Sequence, residues 1–73
     1  MTNEPGVVLH IRAVGEFYEA WGADAAVLAS ALELTLTSRV VEGVRVPMSG
    51  FLLPSLSRHT GRAARQGIRL VVD

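Results

Sequence analysis

The chain has 73 residues, with seven arginines, seven carboxylates, no lysine and no cysteine, so its net charge is zero. This length makes one small domain, and the lack of cysteine excludes disulfides and cysteine-ligated metal sites. No apolar run reaches the roughly 18 residues of a membrane span, and the first residues lack a signal-peptide pattern. We therefore expect a cytoplasmic location.

The charge is unevenly distributed along the chain. Residues 1–38 carry one arginine and five carboxylates, a net charge of −4, whereas residues 39–73 carry six arginines and two carboxylates, a net charge of +4. A basic second half is typical of a surface that faces a polyanion. Ion pairing between the two halves explains the pattern equally well, so charge alone leaves both interpretations open.

The first half of the chain predicts a strand followed by helical structure. Residues 1–6 are expected to be a flexible N-terminus, and residues 7–73 to be the folded module. Val7–Val14 is rich in β-branched residues and predicts a strand with one apolar face. A helical pattern follows, and a glycine at position 22 divides it into a short helical turn at Phe17–Trp21 and a longer helix at Ala23–Leu32.

The second half begins with alternating residues. Residues 34–39 alternate apolar and mostly hydroxyl side chains, which predicts a strand with one exposed face. Residues 40–46 either continue that strand or form a short hairpin at Gly43, and residues 47–50 are predicted to be a turn because Pro47 cannot donate to a ladder.

A second helix and a last strand complete the pattern. Pro54 suits the first turn of a helix, Gly67 suits its end, and Ile68–Val72 predicts a strand. The predicted fold is therefore α/β (α+β type): a small mixed β-sheet with two main helices packed on it, in the order β-α-β-loop-α-β. The buried side of the second helix is predicted to contain Leu56, Thr60, Ala63 and Ala64.

No pattern in the sequence indicates catalysis. Ser57 and His59 lack a third group and do not face each other at this spacing on a helix. Carboxylates such as Glu16 and Glu19 are ordinary in a first helical turn, and no glycine-rich phosphate loop is present. We therefore expect no enzymatic activity and no cofactor.

Four segments together resemble the N-terminal domain (domain I) of the MutS family of DNA mismatch-repair proteins. They read GEFYE at 15–19, LTLTSR at 34–39, PMSG at 47–50 and QGIRLVV at 66–72. The family pattern has a strand ending in GDFYE, a helix, a strand reading like leucine-x-leucine-threonine, a PMAG turn, and a helix ending in glycine before a strand. The resemblance covers residues 7–73.

The resemblance implies a role for the GEFYE segment. In the family, the phenylalanine of this motif stacks on a mispaired or unpaired base, and the glutamate hydrogen-bonds the same base. Burial statistics alone place all three rings of residues 17–21 in the core; the resemblance instead implies that Phe17 is an exposed wedge and Glu19 a base contact at the surface, with Tyr18 and Trp21 in the core. Further candidate DNA contacts share one face of the second predicted helix: Arg58, Arg62 and Arg65.

Two functions are compatible with these patterns. The first is a DNA-binding module that recognises mismatched, unpaired or distorted duplex DNA, acting in or derived from mismatch repair. Its partners would be such DNA and further domains or a partner protein that supplies the clamp and the ATPase, with no cofactor and no membrane. The alternative is a protein-interaction module on the same fold that no longer contacts DNA and binds through an open sheet edge and the apolar residues 51–53.

Overall fold

The computed structural model describes residues 6–73, so all of the expected flexible N-terminus except Gly6 lies outside the described residues. Five strands and two helices follow in chain order. They are β1 (Val7–Val14), β2 (Phe17–Trp21), α1 (Ala23–Leu32), β3 (Thr37–Val41), β4 (Val44–Leu52), α2 (Leu56–Ala64) and β5 (Ile68–Val72), with a single 3-10 turn at Leu53–Ser55 before α2.

The strands form one sheet in the order β3-β4-β2-β1-β5. Strands β1 and β5 pair in parallel and the other neighbours pair antiparallel, so the sheet is mixed. Buried residues of both helices join one core cluster with Leu9, Ile11 and Phe51, which places the helices on the same face of the sheet. The predicted fold class is confirmed, and β1, α1 and β5 have the predicted bounds.

The prediction of a helical turn at Phe17–Trp21 is wrong, because this segment is the strand β2. A two-residue turn at Gly15 and Glu16 folds β2 back on β1, with Val14 opposite Phe17. Gly15 has a φ of 59°, which suits the first position of a tight hairpin turn. Three aromatic side chains in five residues also favour extended structure.

The strand predicted at residues 34–39 begins only at Thr37, because the residues before it are tied to other elements. The Leu34 N–H donates to the Ala29 carbonyl of α1 (2.9 Å), and the Thr35 carbonyl accepts from Ser49 Oγ (3.0 Å). Residues 40–46 form the hairpin, not the continued strand. Its turn has a positive φ at both central residues, Glu42 and Gly43, as a two-residue hairpin of this kind requires.

The predicted turn at residues 47–50 is also wrong, since these residues lie inside β4. The Pro47 carbonyl accepts a hydrogen bond from the Gly22 N–H (2.9 Å), on the side of β4 where β2 has just ended at Trp21. The N–H that proline lacks would point to this same side. Pro47 therefore removes no ladder bond to β3, where it stands opposite Ser38.

The buried side of α2 differs from the predicted one. His59 and Ala63, one helical turn apart, are buried, whereas Thr60 and Ala64 are exposed. The ring of His59 packs against the ring of Phe51 from β4, with centroids 4.5 Å apart. This contact turns the helix so that positions 59 and 63 face the sheet.

His59 makes the stability of the fold dependent on pH. Its side chain is 4% exposed, and its Nδ1 atom has no hydrogen-bond partner among the described residues. Burial and the nearby positive charges of Arg58 and Arg62 lower its pKa below the ordinary value of 6.5. The folded chain therefore holds the neutral imidazole, while the unfolded chain takes up a proton as the pH falls.

We expect His59 to lower the free energy of unfolding as the pH falls below about 6.5, by at most about 1.4 kcal/mol per pH unit for this one group. Urea titrations between pH 7.5 and 5.5 measure this slope, and His59→Phe should flatten it. His10→Gln is the control, because His10 is exposed and pairs with Asp73. An unchanged slope in His59→Phe would show that another group is responsible.

Candidate functional site

The face of the sheet opposite the helices carries a distinct set of side chains. Alternation along β2 directs Phe17, Glu19 and Trp21 to this open face, whereas Tyr18 and Ala20 point towards the helices and the core. The neighbouring strands extend the set, since Trp21 is opposite Met48 of β4, which is in turn opposite Thr37 of β3.

Phe17 lies at the rim of this face. Its ring is 43% exposed, as the sequence resemblance implied. Its cross-strand partner is Leu52, which is also exposed. A ring in this position can contact a flat apolar partner without any change in the core.

Glu19 is not the surface residue that was expected. It is 8% exposed, and its Oε1 atom is buried without a hydrogen-bond partner among the described residues. Arg12 is opposite Glu19 in register, but within residues 6–73 the two form no ion pair. The ion pair found there joins His10 and Asp73. A buried polar atom without a partner costs about 1–3 kcal/mol, so Oε1 marks a position where an external hydrogen-bonding group would be favoured.

Gly50 accounts for the burial of Glu19. The two residues are opposite each other in β4 and β2. A Cβ atom at position 50 would lie 2.4 Å from the Tyr18 carbonyl oxygen and 3.3 Å from both Cα and Cγ of Glu19. The missing side chain therefore allows close approach of the strands and leaves room for the glutamate to lie against the sheet.

Phe17 and Glu19 line a shallow pocket of about 360 Å³ that opens on this face. The rest of its wall combines three hydroxyl-bearing residues and an arginine with a methionine and a glycine. The other lining residues are Thr35, Thr37, Arg39, Met48, Ser49 and Gly50.

Trp21 does not lie in the core, contrary to the expectation. It is half-buried on the open face, and the guanidinium carbon of Arg39 is 5.2 Å from the centroid of its ring. Tyr18, by contrast, packs against the core as expected, with its ring 5.9 Å from that of Phe51.

The predicted arginines of α2 are placed apart from this pocket. Arg58 and Arg65 are exposed and Arg62 is half-buried, but α2 covers the opposite face and none of the three lines the pocket. The structure brings Arg39 there instead. The sequence held a signal for it, since Thr35, Thr37 and Arg39 are two residues apart along an alternating segment.

Ser57 is exposed on α2 while His59 is buried under it, so the two side chains do not form a catalytic pair. Among residues 6–73, no group of three or more histidine, aspartate or glutamate side chains could hold a metal ion. In the same part of the chain, no helix is long and apolar enough to cross a membrane.

Comparison with known proteins identifies the family. The family model of MutS domain I matches residues 1–72. The DNA mismatch repair protein MutS of Thermus aquaticus is 41% identical over 59 residues, and those of Methanothrix thermoacetophila and Methanococcoides burtonii are 37% identical over 70 and 34% over 61. These matches cover 81%, 93% and 81% of the chain but only 7–8% of each relative. The chain belongs to the MutS domain I family.

Gly50→Ala tests the close approach of β2 and β4. We expect it to reduce the free energy of unfolding by about 1–3 kcal/mol, because the added Cβ meets backbone atoms of Tyr18 and Glu19. Gly61→Ala is the matched control in α2, where a Cβ meets nothing within 4 Å, and it should stabilise the chain by about 0.5–1 kcal/mol. Urea unfolding measures the free energy of unfolding of both variants. Equal effects would contradict a close approach of the strands at Gly50.

Proposed function

We propose that this chain, as a member of the MutS domain I family, is a DNA-binding module that recognises mismatched, unpaired or distorted duplex DNA. Phe17 is the aromatic wedge in this proposal, and Glu19 is the contact to the base. Its role is in DNA mismatch repair, where the clamp and the ATPase come from other domains or from a partner protein. The cytoplasmic location expected from the sequence remains part of the proposal.

The observation that carries the proposal is the pairing of an exposed ring with a recessed carboxylate on one strand. Phe17 and Glu19 are two residues apart on the same face of β2, so their Cα atoms are about 7 Å apart. The ring protrudes and is free to enter a base stack. The carboxylate is recessed beside it in the same pocket, where a base next to the ring would lie close to it.

A mismatch favours this arrangement for two physical reasons. Inserting a ring between base steps costs a few kcal/mol of unstacking, and this cost is lowest where pairing is already weakened. A mispaired or unpaired base also presents hydrogen-bonding groups that a normal pair occupies. Ionised Glu19 accepts from a base N–H, and protonated Glu19 donates to a ring nitrogen, so either form gives the buried Oε1 a partner.

The charges on the open face support DNA as the partner. Arg39 lines the pocket, and Arg12 is opposite Glu19 on the adjacent strand. The arginines of α2 remain proposed contacts to the flanking sugar-phosphate backbone. A single module buries only about 600–1,000 Å² on DNA and must also meet the cost of bending it, so binding by this chain should be weak and sensitive to salt.

One observation favours the alternative of a protein-interaction module. Leu52 is 50% exposed, and together with Leu53 and Pro54 it lines an apolar cavity of about 380 Å³ beside the β1–β2 turn. Phe51 is buried in the core, so of the apolar residues 51–53 only the two leucines are available to a partner. Leu52 lies next to Phe17, and this allows a direct comparison of the two functions.

Phe17→Ala tests the wedge. We expect the wild-type chain to bind a duplex with one mismatch more tightly than the matched duplex, and the variant to lose this preference together with at least about fivefold of its mismatch affinity. Leu52→Ala is the matched control, because it removes a similarly exposed apolar side chain opposite Phe17. Fluorescence anisotropy titrations give both affinities. Unchanged binding by Phe17→Ala to both duplexes would refute the wedge, and loss of binding only in Leu52→Ala would favour a different apolar contact.

Arg62→Ala tests whether α2 reaches the phosphate backbone. We expect it to weaken binding to matched and mismatched duplexes alike and to lessen the slope of log affinity against log salt by about 0.9, the contribution of one phosphate contact. Thr60→Ala, an uncharged exposed residue of the same helix, should leave the slope unchanged. An unchanged slope in Arg62→Ala as well would remove this residue from the DNA interface without affecting the role of Phe17.

A further inference from the structure

The contact between Trp21 and Arg39 is a feature of the open face that base recognition does not require. Trp21 belongs to β2 and Arg39 to the edge strand β3, with β4 between them. The guanidinium carbon lies 5.2 Å from the ring centroid, within the range of about 6 Å in which a cation is attracted to an aromatic face. The ring therefore supports the arginine across an intervening strand.

The charge of Arg39 is available to a partner. Its side chain is exposed, and within residues 6–73 no carboxylate forms an ion pair with it. Arg45, the other arginine of the same hairpin, uses a guanidinium donor to bond Ser38 Oγ at 2.9 Å. Arg45 is opposite Val40 in register and so faces away from the pocket that Arg39 lines.

Stacking and hydrogen bonding use different parts of a guanidinium. A guanidinium stacks on an aromatic ring through its planar face, while its N–H donors project from its edge. A stacked arginine can therefore hold a phosphate with two parallel hydrogen bonds and keep its contact with the ring. Because the ring already restricts the long side chain, less conformational freedom is lost on binding.

We propose that Trp21 holds Arg39 as a preformed contact for one backbone phosphate of the DNA whose base meets Phe17. Arg39 is the binding residue and Trp21 its positioning residue, and the inference rests on the proposed function. Arg39 and Phe17 line the same pocket, so the phosphate belongs to the strand segment next to the base that is read. Phosphate contacts position the protein and carry no sequence information, so this pair should add affinity and no mismatch preference.

The test measures affinity for matched and mismatched duplexes at several salt concentrations. Arg39→Ala should weaken both duplexes by the same factor and lessen the salt slope by about 0.9. Arg45→Ala removes the same charge from the other face of the hairpin and should change the slope less. Arg39→Lys keeps the charge and loses the planar fork, so it should keep the slope and lower the affinity.

Variants of Trp21 separate positioning from a structural role. Trp21→Leu should weaken binding about two- to tenfold, the cost of ordering one free arginine at an interface, whereas Trp21→Phe keeps an aromatic face and should bind more tightly than Trp21→Leu. In the Arg39→Ala background, Trp21→Leu should have no further effect. An equal loss in both backgrounds would overturn the positioning role, as it would reflect a change in the fold.

The outcomes also distinguish this inference from the proposed function. If Phe17→Ala removes mismatch preference but Arg39→Ala leaves affinity and salt slope unchanged, the phosphate contact is wrong and the wedge stands. If Phe17→Ala binds like the wild type while Arg39→Ala lessens the slope, the wedge is wrong and a phosphate contact exists without base reading. No binding of either duplex by the wild-type chain at low salt would overturn both.

Discussion

Strand β2 is hydrogen-bonded along both of its edges, to β1 on one side and β4 on the other, so its side chains have only two directions available. Tyr18 and Ala20 take the direction of the helices and complete the core. Phe17, Glu19 and Trp21 lie on the open face, and no rotamer can turn their side chains towards the core. The same pleat that builds the core therefore assembles the candidate site, and the two cannot be changed independently.

Among residues 6–73, two buried side-chain polar atoms lack a hydrogen-bond partner, one on each side of the sheet. Their surroundings differ. Nδ1 of His59 is under α2, against the ring of Phe51, and it limits stability in acid. Glu19, which carries the unpartnered Oε1, lines a pocket that opens to solvent. A ligand in this pocket would lie beside Glu19, whereas His59 is packed between α2 and the sheet. Only the glutamate therefore enters the proposed function.

Local sequence predicted the elements whose pattern and packing agree. In α1, apolar residues recur at helical spacing and face the core, since Ala25, Leu28, Ala29 and Leu32 are all buried. The secondary structure of Phe17–Trp21 could not be predicted locally, because the spacing of its apolar residues favours a helix while its aromatic content favours a strand. The strand is selected by pairing with β1 across the hairpin turn, which is a tertiary contact. The strand position of Gly50 could not be predicted locally, because its close approach to Glu19 involves a residue 31 positions away in sequence. Phe17 and Glu19 came from the family resemblance. The alternation of residues 35–39 indicates which side chains share a face with Arg39, but the position of Arg39 near Trp21 depends on the sheet order, which no local pattern contains.

The hairpin turn at Glu42 and Gly43 joins β3 and β4 at the end of the strands that is distant from Phe17. It nevertheless determines which side chains line the pocket. Side chains alternate between faces along a strand, so a shift of β3 by one residue against β4 exchanges every side chain of one face for those of the other. Ser38 and Val40 would then replace Thr37 and Arg39 on the open face, beside Trp21. A loop of two residues with positive φ at both positions leaves little freedom for such a shift. The length of a distant, solvent-exposed loop thus fixes the register of β3, and with it the side chains that the open face presents.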